Sequence, residues 1–192
     1  MPDLILASTS QYRRALLSRL AIQFTWEDPR VDEDEYKYSV TSPREIAERL
    51  AHEKAKSVQT RNPAAFIVGA DQLVALEGRV LGKPGSEAAA VEQLKMLVGK
   101  THELITAVAL LTPSSSGFHT DITRMQMENL SEASLQRYVE FDKPIDCAGS
   151  YKIESLGISL FRKIEAEDVT AIQGLPLMAL ARLLRNAGYS IP

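Results

Sequence analysis

The chain has 192 residues, of which 45% are hydrophobic and 24% charged, a composition typical of a globular protein. Its 22 Lys and Arg against 25 Asp and Glu give a formal charge of −3, without the basic excess that duplex nucleic-acid binding usually requires. The single cysteine, Cys147, excludes an internal disulfide and fits a reducing compartment. No window approaches the ~18 apolar residues of a membrane-spanning helix. We therefore expect a cytoplasmic protein that binds neither duplex nucleic acid nor a membrane.

The first part of the chain predicts a strand, a loop and a helix, followed by a second helix and strand. The apolar run from Leu4 to Ala7 indicates a buried strand, and the Ser8-Thr9-Ser10 segment after it supplies a helix N-cap. A second helix is predicted from Ser42, which is followed by Pro43 and a capping-box Glu45, to about Arg61. The run from Phe66 to Ala70 predicts another buried strand, which ends just before Asp71.

The rest of the chain alternates predicted strands and helices. A hairpin is expected around Gly78, and two long antiparallel strands are expected on either side of a Pro- and Ser-rich turn. The predicted segments are strands at Leu73 to Leu76, Val80 to Leu81, Leu104 to Thr112 and Phe118 to Met127, and helices at Ser86 to Val98, Ser131 to Phe141 and Pro176 to Asn186. The pattern predicts one α/β domain over residues 1–192, with a mixed central sheet and flanking helices.

Three basic residues fall where a helix should be apolar or should avoid positive charge. Lys54 lies in the middle of the apolar stripe of the second helix, so it must snorkel, pair with an internal carboxylate or face an anion. Arg13 tops the leucine stripe of the first helix, and Arg14 flanks it. Positive charge is unfavourable near a helix N-terminus unless an anion is present. These arginines are therefore either ordinary surface residues or, together with the free N–H groups of the helix, a phosphate site.

Acidic residues accompany this basic group. Asp71 directly follows a predicted strand, where it is either a turn cap or a metal ligand or general base. The acidic run from Asp32 to Glu35 is either a solvated loop or the source of one metal-binding carboxylate, and Lys83 on the Gly82-Lys83-Pro84 turn is either solvated or part of the anion site. Basic groups together with carboxylates indicate a polyphosphate ligand and a divalent metal ion.

These residues resemble the Maf family of nucleotide pyrophosphatases over nearly the whole chain. The resemblance rests on the ordered motifs Leu4-Ile5-Leu6-Ala7-Ser8-x-Ser10-x-x-Arg13-Arg14-x-Leu16-Leu17, Val31-Asp32-Glu33, Glu53-Lys54-Ala55, Gly69-Ala70-Asp71-Gln72, Gly82-Lys83-Pro84 and Cys147-Ala148-Gly149-Ser150. It implies a two-lobed mixed α/β fold around an active-site cleft. It also implies hydrolysis of a nucleoside triphosphate to the monophosphate and diphosphate, with a divalent cation, Mg²⁺ or Mn²⁺, as cofactor.

The resemblance also implies a role for each matching residue. Asp71 corresponds to the proton acceptor and, with Glu33, to the metal-linked carboxylates of the family. The remaining matches bind the substrate: Arg13, Lys54 and Lys83 hold the phosphates, Ser8 and Ser10 line the loop, and Arg14 assists. The implied chemistry is attack of water on the α-phosphorus without a covalent intermediate.

Three further positions, Tyr12, Gln72 and Glu154, resemble the branch of the family that acts on 7-methyl-GTP. A carboxylate at Glu154 accepts from the N–H groups of guanine, and Tyr12 offers a ring face to a cationic methylated base. Without the resemblance, Tyr12 is a half-exposed helix aromatic and Glu154 an exposed charge on a strand. A dTTP and UTP pyrophosphatase of the same family and a nucleotide-binding regulator of septum formation are the alternatives. A homodimer is left open.

Overall fold

The computed structural model describes residues 2–33 and 42–191 of the chain. By their internal contacts the residues group into two compact units. The first unit comprises Met1–Gln72, Thr106–Asp121 and Asp168–Pro192, and the second comprises Leu73–Ile105 and Ile122–Glu167. No helix within the described ranges is both long enough and apolar enough to cross a bilayer.

Five α-helices form within the described residues, close to the predicted positions. They are α1 (Gln11–Ser18), α2 (Pro43–Arg61), α3 (Glu87–Leu97), α4 (Glu132–Asp142) and α5 (Leu177–Asn186). The first four begin at a serine N-cap whose side chain accepts a backbone N–H of the first turn. Ser42 also donates its hydroxyl to Glu45 Oε2 at 3.0 Å, so the predicted start of α2 is confirmed.

Seven strands form one mixed sheet. They are β1 (Leu4–Ala7), β2 (Thr25–Glu27), β3 (Phe66–Leu76), β4 (Arg79–Leu81), β5 (Thr101–Leu111), β6 (Ser116–Met127) and β7 (Phe161–Glu165), in the order β2-β1-β3-β5-β6-β7 with β4 also paired to β3. β1 is parallel to β2 and β3, whereas β4 and β7 are antiparallel to their partners. β5 and β6 are neighbours joined by four residues, a connection short enough only for antiparallel strands. The mixed α/β prediction is therefore confirmed.

The predicted strand that ends before Asp71 is wrong in its length. β3 continues from Phe66 through Asp71 to Leu76, so Asp71 lies inside a strand and is not a turn cap. An ion pair to Asp71 allows the strand to carry a buried carboxylate through its middle. The hairpin around Gly78 is confirmed, because Val74 pairs with Leu81 across a turn in which Glu77 and Gly78 both have positive φ.

The core of the first unit lies between β1, α1 and α5. Leu6 of β1 and Leu17 of α1 are fully buried in it, together with Leu180 and Leu184 of α5. The spacing of the buried leucines of α5 gives that helix one apolar face, which packs on the sheet. This packing places the N-terminus of α1 beside the turn that precedes α5, where the site residues described below lie.

Candidate functional site

A buried lysine lies between two carboxylates at the centre of the candidate site. Lys54 Nζ on α2 is 2.6 Å from Asp71 Oδ1 and 2.7 Å from Glu33 Oε1. The Lys54 and Asp71 side chains are almost completely buried, whereas the Glu33 side chain is 41% exposed. Of the three alternatives for Lys54, the structure shows an internal ion pair. A buried ammonium requires such partners, because an unpaired charge in the interior is strongly unfavourable.

A glycine on β3 allows α2 to approach closely enough for this contact. Gly69 faces α2, and a Cβ atom there would lie 2.1 Å from the carbonyl oxygen of Ala51 and 2.8 Å from the backbone nitrogen of Ala55. Gly69 and Asp71 are two residues apart on the strand and therefore share a face. The close approach of α2 to β3 at Gly69 thus brings Lys54 to Asp71.

Asp71 has one oxygen in the ion pair and one oxygen without a partner. Oδ1 accepts from Lys54, whereas Oδ2 is buried and has no hydrogen-bond partner among residues 2–33 and 42–191. Burial raises the pKa of Asp71 above its ordinary value, and this effect exceeds the lowering by Lys54 and Arg13. A carboxylate with a free oxygen and a raised pKa is suited to accept a proton.

Arg13 is half-buried at the start of α1 and belongs to the same group of charges. Its Nε donates to the backbone oxygen of Gly174 at 3.0 Å. Burial lowers the pKa of Arg13, and Asp71 and Glu33 oppose that shift. The bond to Gly174 fixes one side of the guanidinium and leaves its two terminal amino groups to face another anion.

Serine residues organise the loop that leads into α1. The hydroxyl of Ser8 accepts the N–H of Ser10 at 3.1 Å, and the hydroxyl of Ser10 accepts the N–H of Arg13 at 3.4 Å. Arg14 points elsewhere, with its guanidinium carbon 4.6 Å from the centre of the exposed Trp26 ring. Its assistance to a phosphate stays a prediction.

The side-chain amide nitrogen of Gln72 donates hydrogen bonds to a neighbouring strand and to the segment before α5. Nε2 donates to Thr106 Oγ1 at 2.9 Å and to the backbone oxygens of Ala171 at 2.8 Å and Ile172 at 3.2 Å. The hydroxyl of Thr106 in turn donates to Ala171 O at 3.0 Å. The carbonyls that hold Gln72 belong to the same turn as Gly174, whose oxygen holds Arg13.

The remaining predicted site residues are Tyr12, Lys83 and Glu154. Tyr12 is half-buried on α1 in the first unit. Lys83 and Glu154 belong to the second unit and are exposed. Glu154 lies in a turn, so the alternative of a strand position is wrong, since β7 begins only at Phe161. Asp34 and Glu35 of the acidic run lie outside the described residues.

The carboxylates beside Lys54 fit a divalent cation. Mg²⁺ and Mn²⁺ prefer oxygen ligands, and the unpartnered Oδ2 of Asp71 is one such oxygen, with the Glu33 carboxylate held at the same ammonium. The described residues contain no cluster of three or more His, Cys, Asp or Glu side chains placed for a metal. Such a cation would therefore draw further ligands from water or substrate, as Mg²⁺ often does.

Sequence reasoning missed the groups that hold the site residues in place. They are Thr106 and the backbone carbonyls of the segment Ala171–Gly174, which we call the 171–174 turn. A signal existed for Thr106, because it is the single polar residue in the apolar run from Leu104 to Leu111. The backbone contacts of the turn join residues 65 to 161 positions apart and leave no pattern in the sequence.

Comparison with known proteins gives the class of this chain. Residues 3–187 match the model of the family described as Maf-like protein. The chain therefore belongs to the Maf-like family, and the resemblance found in its motifs is confirmed.

Similar proteins carry a more specific name. A protein of Bdellovibrio bacteriovorus named 7-methyl-GTP pyrophosphatase is 50% identical over 96% of this chain and 97% of its own length. A protein of the same name from Xanthomonas oryzae pv. oryzae is 49% identical over the full length of both chains. A solved dITP/XTP pyrophosphatase of Mycobacterium abscessus aligns with a TM-score of 0.45 and 16% identity over 95% of this chain and 98% of that chain.

Proposed function

We propose that this chain hydrolyses 7-methyl-GTP to 7-methyl-GMP and diphosphate and so removes a modified nucleotide. Relatives with that name align over 96% of the chain at 50% identity and over the full chain at 49% identity. The observation that carries the chemistry is the buried Asp71, which has one oxygen paired to Lys54 and the other unpartnered. As a reaction of nucleotide metabolism, the hydrolysis is expected in the cytoplasm.

In this proposal, Asp71 orients a water molecule and accepts its proton. Oδ2 is the free acceptor, while Lys54 holds Oδ1 and fixes the orientation of the carboxylate. The raised pKa makes the carboxylate a stronger base than an exposed aspartate. The water attacks the α-phosphorus, the bond to the bridging oxygen breaks, and diphosphate leaves.

Basic groups stabilise the phosphate charge that develops during this attack. Arg13 offers its terminal amino groups, because Nε is already held by Gly174. The N-terminus of α1, with Ser8 and Ser10 before it, adds backbone N–H groups that suit an anion. Lys54 lies between the carboxylates of Asp71 and Glu33, and in this proposal the phosphates bind beside it. The phosphate-binding roles of Lys83 and Arg14 rest on the family pattern alone.

A divalent cation bound by Asp71 and Glu33 would neutralise phosphate oxygens and lower the pKa of a bound water. Each carboxylate oxygen has two lone pairs, so Asp71 Oδ2 would bind the cation with one and accept from the water with the other, while Oδ1 keeps its bond to Lys54. The ammonium then holds both carboxylates in place for the cation.

The base is selected by Tyr12, Gln72 and Glu154 in this proposal. The ring face of Tyr12 attracts the cationic 7-methylguanine base. A carboxylate at Glu154 accepts from the N–H groups of guanine and repels the carbonyl edge of uracil or thymine. This combination favours 7-methyl-GTP over dTTP and UTP.

The test is diphosphate release from 7-methyl-GTP, GTP, dTTP, UTP and CTP, each with Mg²⁺ or Mn²⁺. We expect turnover that depends on the cation and is fastest with 7-methyl-GTP. A preference for dTTP or UTP would overturn the assignment of the three base-selecting residues. The absence of turnover with every nucleotide would overturn the enzymatic function and favour a nucleotide-binding regulator.

A further inference from the structure

We propose that Thr106 and the 171–174 turn position Gln72 so that it presents only a hydrogen-bond acceptor to the substrate. The inference rests on the proposed function for its substrate, and it concerns a residue that lies outside the family motifs described above. Thr106 is 1% exposed in the middle of β5 and cannot contact a nucleotide itself. It is therefore a positioning residue that acts through Gln72.

The polarity of the contacts fixes which end of the Gln72 amide faces the protein. The backbone oxygens of Ala171 and Ile172 can only accept hydrogen bonds, so the atom between them must be the donor Nε2. Thr106 gives its one hydroxyl proton to Ala171 O, which leaves its oxygen to accept from the same Nε2. A flipped amide would place Oε1 against two carbonyl oxygens.

Oε1 is therefore the polar atom of the Gln72 side chain that is available to a bound nucleotide. No residue in the described ranges donates to it, and Gln72 is only half-buried. Oε1 lies 3.8 Å from the position that a Cβ atom would take at Gly174, the residue whose oxygen holds Arg13. One turn thus holds both a phosphate-binding arginine and the selecting glutamine.

An acceptor in this place matches a base edge rich in N–H groups. Guanine and 7-methylguanine carry amino and imino N–H groups on the Watson–Crick edge, whereas uracil presents two carbonyl oxygens on either side of a single N–H. The fixed amide therefore discriminates against carbonyl edges, because two acceptors that face each other lose a hydrogen bond and repel.

The enzymatic test compares Thr106→Val with Thr106→Ser. Valine keeps the volume and removes the hydroxyl, so the ratio of kcat/KM for 7-methyl-GTP over UTP should fall about 3- to 10-fold, the effect of one net hydrogen bond. The loss should appear in KM, with kcat within about twofold, because a base contact is made equally before and during the reaction. Serine restores the hydroxyl and should restore the ratio.

Thr112→Val is the matched control. Thr112 is a buried residue of the same unit, but its hydroxyl forms hydrogen bonds only within the turn that joins β5 to β6, for example with Ser115. This variant should lower the melting temperature and leave the nucleotide ratio unchanged. A Thr106→Val protein that folds and keeps the wild-type ratio would overturn the proposal, as would a loss that Thr106→Ser does not reverse.

A second measurement needs neither turnover nor a folded variant at Thr106. In ¹⁵N-labelled wild-type protein without nucleotide, the side-chain amide protons of Gln72 should exchange with solvent more slowly than those of the other glutamines whose side chains are exposed. Gln72→Met identifies the resonances. Exchange as fast as that of an exposed glutamine would overturn the positioning, whether or not the protein hydrolyses 7-methyl-GTP.

Discussion

Replacement of Gly69 by alanine tests the close approach of α2 to β3 on which the site depends. The added Cβ would lie 2.1 Å from Ala51 O and 2.8 Å from two atoms of Ala55, whereas unstrained contacts between such atoms are about 3.5 Å. Ala51 O and the nitrogen of Ala55 are backbone atoms, so no side-chain rotation relieves the overlap. The helix must retreat from the strand by roughly 1 Å or more.

Two effects of Gly69→Ala follow from this displacement. Overpacking of this kind costs about 2–3 kcal/mol, which lowers the melting temperature by roughly 4–12 °C in a chain of this size. Lys54 moves with α2, so its bond of 2.6 Å to Asp71 lengthens and Asp71 loses its fixed orientation. A misplacement of about 1 Å in a catalytic group lowers kcat by up to about 100-fold.

Thermal unfolding and the rate of diphosphate release from 7-methyl-GTP measure the two effects. Gly82→Ala is the matched control for stability, because a Cβ there meets no atom within 4 Å and Gly82 has no positive φ. Its melting temperature should stay the same or rise slightly. A Gly69→Ala protein that melts within about 1 °C of wild type and keeps full activity would refute the account of how α2 and β3 place the site.

Two other predictions concern buried titratable side chains. Lys54→Met removes the ammonium that bonds both carboxylates and leaves Asp71 buried without its hydrogen-bonded cation, so urea unfolding at pH 7 should show a loss of about 3–5 kcal/mol. A loss below about 1 kcal/mol would contradict the buried ion pair. Burial lowers the pKa of His102 to about 4, below its unfolded value of about 6.5. The unfolded state therefore binds the proton more readily, and the free energy of unfolding falls as the pH drops from about 6.5 towards 4. At 1.36 kcal/mol per unit, wild type should lose about 2 kcal/mol more than His102→Phe between pH 7 and pH 5, and parallel losses would contradict the assignment.

Local patterns in the sequence were sufficient to predict most of the fold. Serine N-caps and a capping Glu45 specify where helices begin, because these contacts lie within four residues of each other. The apolar stripe that made Lys54 conspicuous placed it on the buried face of α2, and the structure shows the side chain buried there. Its partner remained open among three alternatives, because Asp71 and Glu33 reach it only through tertiary packing.

The error at Asp71 has a physical cause. A carboxylate after an apolar run is the usual end of a buried strand, and local propensity contains no information about the lysine that neutralises it. The positions of Thr106 and Gly69 were likewise visible as residue types, but the residues that they contact lie on other elements of the fold. The sequence therefore singled out the charged residues that the structure brings together around Lys54, whereas their hydrogen bonds could not be predicted.

The most direct test of the central claim is kcat/KM for 7-methyl-GTP in wild type and Asp71→Asn, with Asp142→Asn as control. Asparagine keeps the shape of Asp71 and removes the proton acceptor, so the account predicts a loss of about 10²- to 10⁴-fold in a folded protein. Asp142 is also buried, but it accepts hydrogen bonds from Ser155 and Gly157 in the second unit, and its replacement should leave the rate within a fewfold of wild type. An Asp71→Asn protein that keeps more than a tenth of the wild-type kcat/KM would contradict the claim.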